Sequence, residues 1–357
     1  MGRCPSPCRG AGDSVVTGVR LINPELWAWG GFIAFVLLVL AIDLGVLNKK
    51  AHVVSIREAL KFTVALAVMA LCFNVLVYLS YEHRWLGFGG EVDRVDGVVN
   101  TGRVAAVKFI TAYVIELSLS ADNVFVIAMI FQYLRIPAQY QHRVLFWGIM
   151  GALVMRGVMI LLGASLIARY HWILYLFGAF LVYTAIKMLT SKEGGESDVA
   201  DSFVMKQIRR FFPITPTYHG QQFVVMVNAK RVLTPLAVAL VLVETTDLIF
   251  AVDSIPAVFA ITTDPFIVFT SNVFAILGLR SLYFALAGAI DKFRYLKVSL
   301  AAILGLVGIK MLVADLLKEY IGPSFNFWLL GVVALILALG VVASMLAAKR
   351  DGRMAED

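Results

Sequence analysis

Two apolar stretches of this chain, each long enough to cross a bilayer, carry the same acidic pattern. The first reads Glu116-Leu117-Ser118-Leu119-Ser120-Ala121-Asp122-Asn123-Val124, and the second Asp247-Leu248-Ile249-Phe250-Ala251-Val252-Asp253-Ser254-Ile255. In each, an acid is followed by Leu, then by an Asp six positions on, then by an amide or hydroxyl side chain and a β-branched residue. With Glu244, the two stretches hold five acids. A carboxylate at the centre of a membrane helix costs roughly 2.5–3.5 kcal/mol on insertion scales, so five cost about 12–17 kcal/mol if nothing compensates them. A whole domain is stable by only about 5–15 kcal/mol. These charges must therefore face a protein interior and be neutralised there by cations, protons or basic partners.

The rest of the sequence supplies that interior. Of 357 residues, 60% are hydrophobic and 15% charged, where a soluble domain carries about 25% charged residues. Apolar stretches of about 20 residues recur along the chain, the signature of spanning helices; a spanning β-barrel would show short alternating segments instead. The composition predicts an all-α polytopic membrane protein of about nine transmembrane helices, near 26–47, 60–80, 106–131, 144–167, 172–189, 235–262, 266–289, 296–316 and 326–347. The net charge of +7 does not point to nucleic acid, because nineteen Lys and Arg fall in loops on one side of the membrane and nine on the other. The positive-inside rule then puts the N-terminus outside and the C-terminus in the cytoplasm. Residues 1–24 read as a disordered extracytoplasmic arm, and the first span as an uncleaved targeting signal. Cys4, Cys8 and Cys72 form no metal or disulfide framework.

The acidic pattern belongs to a larger repeat. The fourth span contains Met155-Arg156-Gly157 and the seventh Leu279-Arg280-Ser281; the fifth contains Ile186-Lys187-Met188-Leu189 and the eighth Ile309-Lys310-Met311-Leu312. Three matched signals in the same order divide the chain into two peripheral helices (25–82), a first three-helix repeat (104–190), a cytoplasmic loop element (191–234), a second repeat (235–318) and a final helix (325–348). An odd number of helices per unit makes the second copy inverted, the plan of many secondary transporters with a site near the midplane. Within 191–234, an amphipathic stretch from Phe203 to Phe212 and a strand over Phe223–Asn228 point to a small packed element on the membrane surface, with a plain linker as the equal alternative.

Antiparallel crossing of the third and sixth spans would level Glu116 with Asp253 and Asp122 with Asp247, in two tiers about 9 Å apart. Six residues correspond to about 240° around a helix, so the two acids of one motif cannot share an ion on an unbroken helix. Pro256 would free the Val252 carbonyl beside Asp253 as a further ligand. The available donors are oxygens, with no His or Cys in these spans, which suits Mn²⁺, Mg²⁺ or Ca²⁺. The candidate metal ligands are Glu116, Asp122, Asn123, Glu244, Asp247, Asp253 and Ser254, with Asp43, Arg156, Arg280 and Lys310 as access or gating positions. The competing reading is that Arg156, Arg280, Lys187 and Lys310 pair with the acids and only hold the bundle together. No nucleophile–base arrangement or cofactor fingerprint points to an enzyme.

These segments carry a family resemblance. Glu116–Asn123, Tyr218-His219-Gly220, Glu244-Thr245-Thr246-Asp247, Ala251–Ala257, Asp264–Asn272 and Gly278–Tyr283 resemble the TerC integral membrane proteins, a family named for a link to tellurium resistance. The resemblance extends over about residues 25–320. It implies a bacterial-type inner-membrane protein of metal-ion homeostasis, several members being associated with manganese efflux. The expected function is export of a divalent metal, with Mn²⁺ chosen by the resemblance, in exchange for protons or driven by the membrane potential. The alternative is a membrane-bound metal-delivery or stress-response partner, docking proteins through 191–234. Tellurite transport is disfavoured, since a path lined by five acids repels anions.

Overall fold

The computed structural model describes residues 24–42, 56–170, 172–190, 203–227, 230–286, 296–313 and 325–354. The arm 1–23, Asp43 and the polar linker at 191–202 lie outside them. The described helices are α1 (Pro24–Ile42), α2 (Ile56–Glu82), α3 (Gly102–Tyr133), α4 (Ala138–Arg169), α5 (Ile173–Thr190), α6 (Phe203–Phe211), α7 (Pro235–Phe259), α8 (Pro265–Leu286), α9 (Leu296–Leu312) and α10 (Phe325–Met354). Eight of them are long and apolar enough to cross a membrane, and α9 has 17 residues, at the short limit for a span. The protein is thus a multi-pass α-helical membrane protein. Its peripheral helices show why: α2 exposes Leu60, Val64, Val68, Leu71 and Val75, a stripe at helical spacing that water would not tolerate and lipid does.

The interior is built by two helix triplets, α3–α4–α5 and α7–α8–α9. Helix α3 packs on α8 while α7 packs on α4, and α5 lies along α9. Exchanging the triplets maps these contacts onto one another. Helices α5 and α9 approach backbone to backbone, since a Cβ on Gly178 would meet the Gly308 carbonyl at 3.1 Å and one on Gly308 would meet the Gly178 carbonyl at 2.9 Å. Helix α8 is the most enclosed span. Its start is set by Pro265 at the first helical position and by Asp264, whose carboxylate accepts from the Phe266 and Ile267 N–H groups at 3.0 and 3.2 Å.

The two ends of the bundle differ. At one end, α6 and an antiparallel hairpin, β1 (Val224–Val227) with β2 (Lys230–Leu233), pack against the helix termini. The amphipathic stretch and the strand expected in this segment are both present, and the Tyr218 hydroxyl ties them to the α3–α4 turn by donating to the Leu134 carbonyl at 2.6 Å. At the opposite end, residues 83–101 fold over the bundle and bury a polar network. The Lys108 ammonium, fully buried, donates to Asp93 and Asn100 at 2.8 Å and pairs with Asp96 at 2.9 Å. Asp93 also accepts from the Thr262 and Thr263 hydroxyls, which joins this loop to the α7–α8 corner. Burial pushes the Asp93 carboxyl up, but Lys108 and its hydrogen bonds outweigh it and hold the group below its ordinary value. A depressed folded pKa gives stability that is complete above about pH 4 and is lost as the pH falls through the folded value.

Removing one member of a buried pair strands the other charge. Lys108→Met is expected to destabilise the detergent-solubilised protein by about 3–5 kcal/mol, read as a lowered melting temperature. Adding Asp93→Asn and Asp96→Asn should recover part of that loss; no loss in the single variant would contradict the network.

Candidate functional site

Arg156 stands in the middle of α4, 2% exposed, and its guanidinium gathers four helices. It binds Asp247 of α7 through two parallel hydrogen bonds, Nε to Oδ2 at 3.2 Å and Nη2 to Oδ1 at 3.0 Å. Its Nη1 makes an ion pair with Glu116 of α3 and reaches the Ser254 hydroxyl at 3.3 Å and the Asn272 Oδ1 of α8 at 3.5 Å. Asn123 completes the group by donating to Asp247 Oδ1 at 3.3 Å. The fork geometry of arginine suits such bidentate binding. All six side chains are buried. Three polar atoms in the cluster, Glu116 Oε2, Asn123 Oδ1 and Asn272 Nδ2, have no hydrogen-bond partner among the described residues.

Helix geometry explains which residues meet. Glu116 and Asn123 are seven apart on α3, as are Asp247 and Ser254 on α7. Seven residues are close to two full turns, so each acid shares a face with its polar partner. The acids six apart diverge instead. Asp247 faces Arg156, whereas Asp253 turns toward α5 and accepts from the Thr184 hydroxyl at 3.2 Å. Helix α7 continues through Pro256, which falls in its last turn, so the acids of that motif stay separated as an unbroken helix requires. The tiers expected from depth, Glu116 with Asp253 and Asp122 with Asp247, are therefore replaced: Arg156 joins Glu116 to Asp247 across the two helices. Rotation about the helix axes decides the partners.

The other candidates are distributed around this centre. Asp122 is half-buried on α3, one position before Asn123. Glu244 is half-buried one turn from Asp247 toward the hairpin end, and its carboxylate lies so close to Gly151 of α4 that a methyl group there would overlap it. Arg280 is buried on α8. Lys310 belongs elsewhere: its ammonium donates to the Ala260 carbonyl at 2.9 Å, at the loop end. Asp43 lies outside the described residues. Asn272 and Lys108 were not singled out from the sequence. A polar run, Thr270-Ser271-Asn272, inside an apolar span was the available signal for the first. A narrow cleft lined by Asn123, Ile127, Gly148, Thr246, Asp247 and Phe250 approaches the cluster from the hairpin side. Among the described residues, no three His, Cys, Asp or Glu side chains converge on one point; the cluster holds two carboxylates and an arginine.

Residues 101–352, from the start of α3 onward, match the model of the integral membrane protein TerC family. The chain belongs to the TerC family. It is 47% identical over 327 residues to the uncharacterized membrane protein STKORF319 of Myxococcus xanthus, covering 92% of this chain and 94% of that one. It is 43% identical over 316 residues to the putative membrane-bound redox modulator Alx of Escherichia coli K12, covering 87% and 92% of the two chains. An uncharacterized membrane protein of Rickettsia felis is 39% identical over 319 residues, covering 89% and 97%. No solved structure matches the chain.

If the arginine is what neutralises the acids, its loss must be felt through them. Arg156→Met is expected to destabilise the protein by about 3–5 kcal/mol, and Glu116→Gln in the same chain to restore part of that. A double-mutant cycle of melting temperatures in detergent checks this coupling; additive effects would show that the pair does not act as a unit.

Proposed function

We propose that this TerC-family protein is a secondary transporter that exports a divalent metal ion, Mn²⁺ first, across a bacterial inner membrane. The hairpin end would face the cytoplasm, where the loop arginines and lysines gather, with the N-terminus outside. The observation that carries the reading is the charge of the buried cluster. Glu116 and Asp247 together carry two negative charges against the single positive charge of Arg156. One further positive charge would bring so dry a site to neutrality. A divalent cation matches both carboxylates at once. Its binding would displace the guanidinium, and protons are the counter-ion that would move in exchange.

The donors favour a hard ion. Glu116, Asp247, Asn123 and Ser254 offer oxygens only, and Glu116 Oε2 and Asn123 Oδ1 are buried acceptors without a protein donor among the described residues. Oxygen sites suit Mn²⁺, Mg²⁺ or Ca²⁺; the choice of Mn²⁺ rests on the family resemblance. Glu244, beside the cleft, would receive the ion or the proton from the hairpin side. Asp122 and Asp253 would serve as flanking positions, and Arg280 as a gate. The exchange symmetry of the helix contacts supports an inverted repeat, in which the two triplets rock about the site to expose it to either side. The Escherichia coli relative is named for redox modulation; here no cysteine joins the cluster, and Cys72 sits on the exposed face of α2. In this reading the protein performs no covalent chemistry and needs no resident cofactor.

Purified protein in liposomes with an internal pH reporter tests the proposal. Mn²⁺ flux is expected to be accompanied by opposite proton movement, and to be abolished by Glu116→Gln and by Asp247→Asn. Arg156→Met, freed of its internal competitor, is expected to show a larger Mn²⁺-dependent rise in melting temperature than the wild type. Undiminished flux in both carboxamide variants would sink the site; flux in none of the proteins would favour the metal-delivery alternative.

A further inference from the structure

The segment from Phe203 to Thr234 contains five lysines and arginines and not one acid. It also turns large apolar side chains outward: Phe211 is 70% exposed, Met226 67% and Phe212 54%. The opposite face of α6 is already committed, with Met205 and Ile208 buried against α3 and α7. Across the hairpin, exposed Met226 stands opposite Arg231 and exposed Val227 opposite Lys230. Basic and apolar groups are thus interleaved along one outward surface.

The position of that surface decides what meets it. Tyr218 is bonded to the Leu134 carbonyl. Arg143, near the start of α4, donates to Gln221 at 3.0 Å and lies 5.2 Å from the centre of the Phe223 ring. The element is therefore pinned to the ends of the spanning helices and held beside the bundle. A surface held there needs a partner that is anionic and apolar within a few ångströms, and a phospholipid leaflet is both. An acidic protein would satisfy the charges but leave Phe211 and Phe212 without a reason to be exposed.

We infer that α6 and the hairpin rest on the membrane surface and bind the headgroup phosphates of anionic phospholipids. Arg209, Arg210, Lys230 and Arg231 contact phosphates, while Phe211, Phe212 and Met226 enter the acyl boundary. The spanning helices hold the element next to its lipids permanently, so even weak individual contacts are satisfied most of the time. The inference is independent of what the buried cluster transports.

Amide hydrogen exchange of the full chain tests it, in nanodiscs of phosphatidylcholine alone and of phosphatidylcholine with phosphatidylglycerol. Peptides covering 203–227 are expected to exchange about fivefold more slowly in the anionic discs, the effect of roughly one basic side chain at such a surface. The difference should disappear in Arg209→Gln/Arg210→Gln, with peptides of α3 unchanged in both lipids as the check that the variant is folded. Equal exchange in the two lipids would overturn the inference and leave the surface to a protein partner. Slowing that survives the double substitution would overturn the assignment to these arginines.

Discussion

The contact between Arg156 and the carboxylates of Glu116 and Asp247 is the constraint on which the rest of the bundle depends. A guanidinium in the middle of an apolar helix has to be met by anions from its neighbours, and here the neighbours are α3 and α7, with α8 adding Asn272. One side chain thereby sets the relative rotation of helices from both triplets. Ion pairs removed from water seldom add net stability over a well-packed apolar core, because desolvation consumes most of the attraction. An apolar residue at each of these positions would have been the simpler way to hold four helices together. The cluster is better understood as a site that the fold tolerates, and α5 with α9, packed glycine against glycine, supplies the tight apolar contact beside it.

Much of this architecture was legible in the sequence, for local reasons. Hydropathy over twenty residues reports a span without reference to any other part of the chain, and the spans read that way correspond to α1–α5 and α7–α10. The amphipathic run at Phe203–Phe211 and the strand at Val224–Val227 were legible by their own periods. The choice of partners was not. Whether Glu116 meets Asp253 or Asp247 depends on how each helix is rotated, and rotation is settled by the packing of α4 and α8 between them. Spacing did contain a clue, since residues seven apart share a face and residues six apart do not. It points to Glu116 with Asn123 and Asp247 with Ser254, which makes the amide and hydroxyl after each second acid as informative as that acid. The loop-end network was hidden for a different reason. Lys108 reads as an ordinary helix-end lysine until residues 83–101 fold back and bury it, and nothing in its own neighbourhood signals that long-range closure.

Two buried charge clusters therefore lie along α3, Lys108 and Glu116 being eight residues apart, about 12 Å along the axis. Their charge balance separates their roles. At the loop end, Lys108 faces Asp93 and Asp96, and Lys310 lies within electrostatic reach of the same two acids. Two cations oppose two anions, and nearly every polar atom of Asp93 is bonded to Lys108, Thr262, Thr263 or the backbone of Val95. Burial pushes the nearby Asp264 carboxyl above its ordinary value. Asn326 adds a donor to Asp96 at 2.7 Å, and its own Oδ1 is the acceptor left over among the described residues of this network. The cluster at Arg156 has two anions for one cation and acceptor oxygens left over. A largely satisfied network closes the loop end, and a cluster with one carboxylate in excess of its arginine borders a narrow cleft on the hairpin side. Under the transport reading proposed above, that asymmetry fits one of two states, with the site nearer the hairpin end and a seal toward the other. In that reading the seal would part in the opposite state, at the Asp93 contacts to the α7–α8 corner.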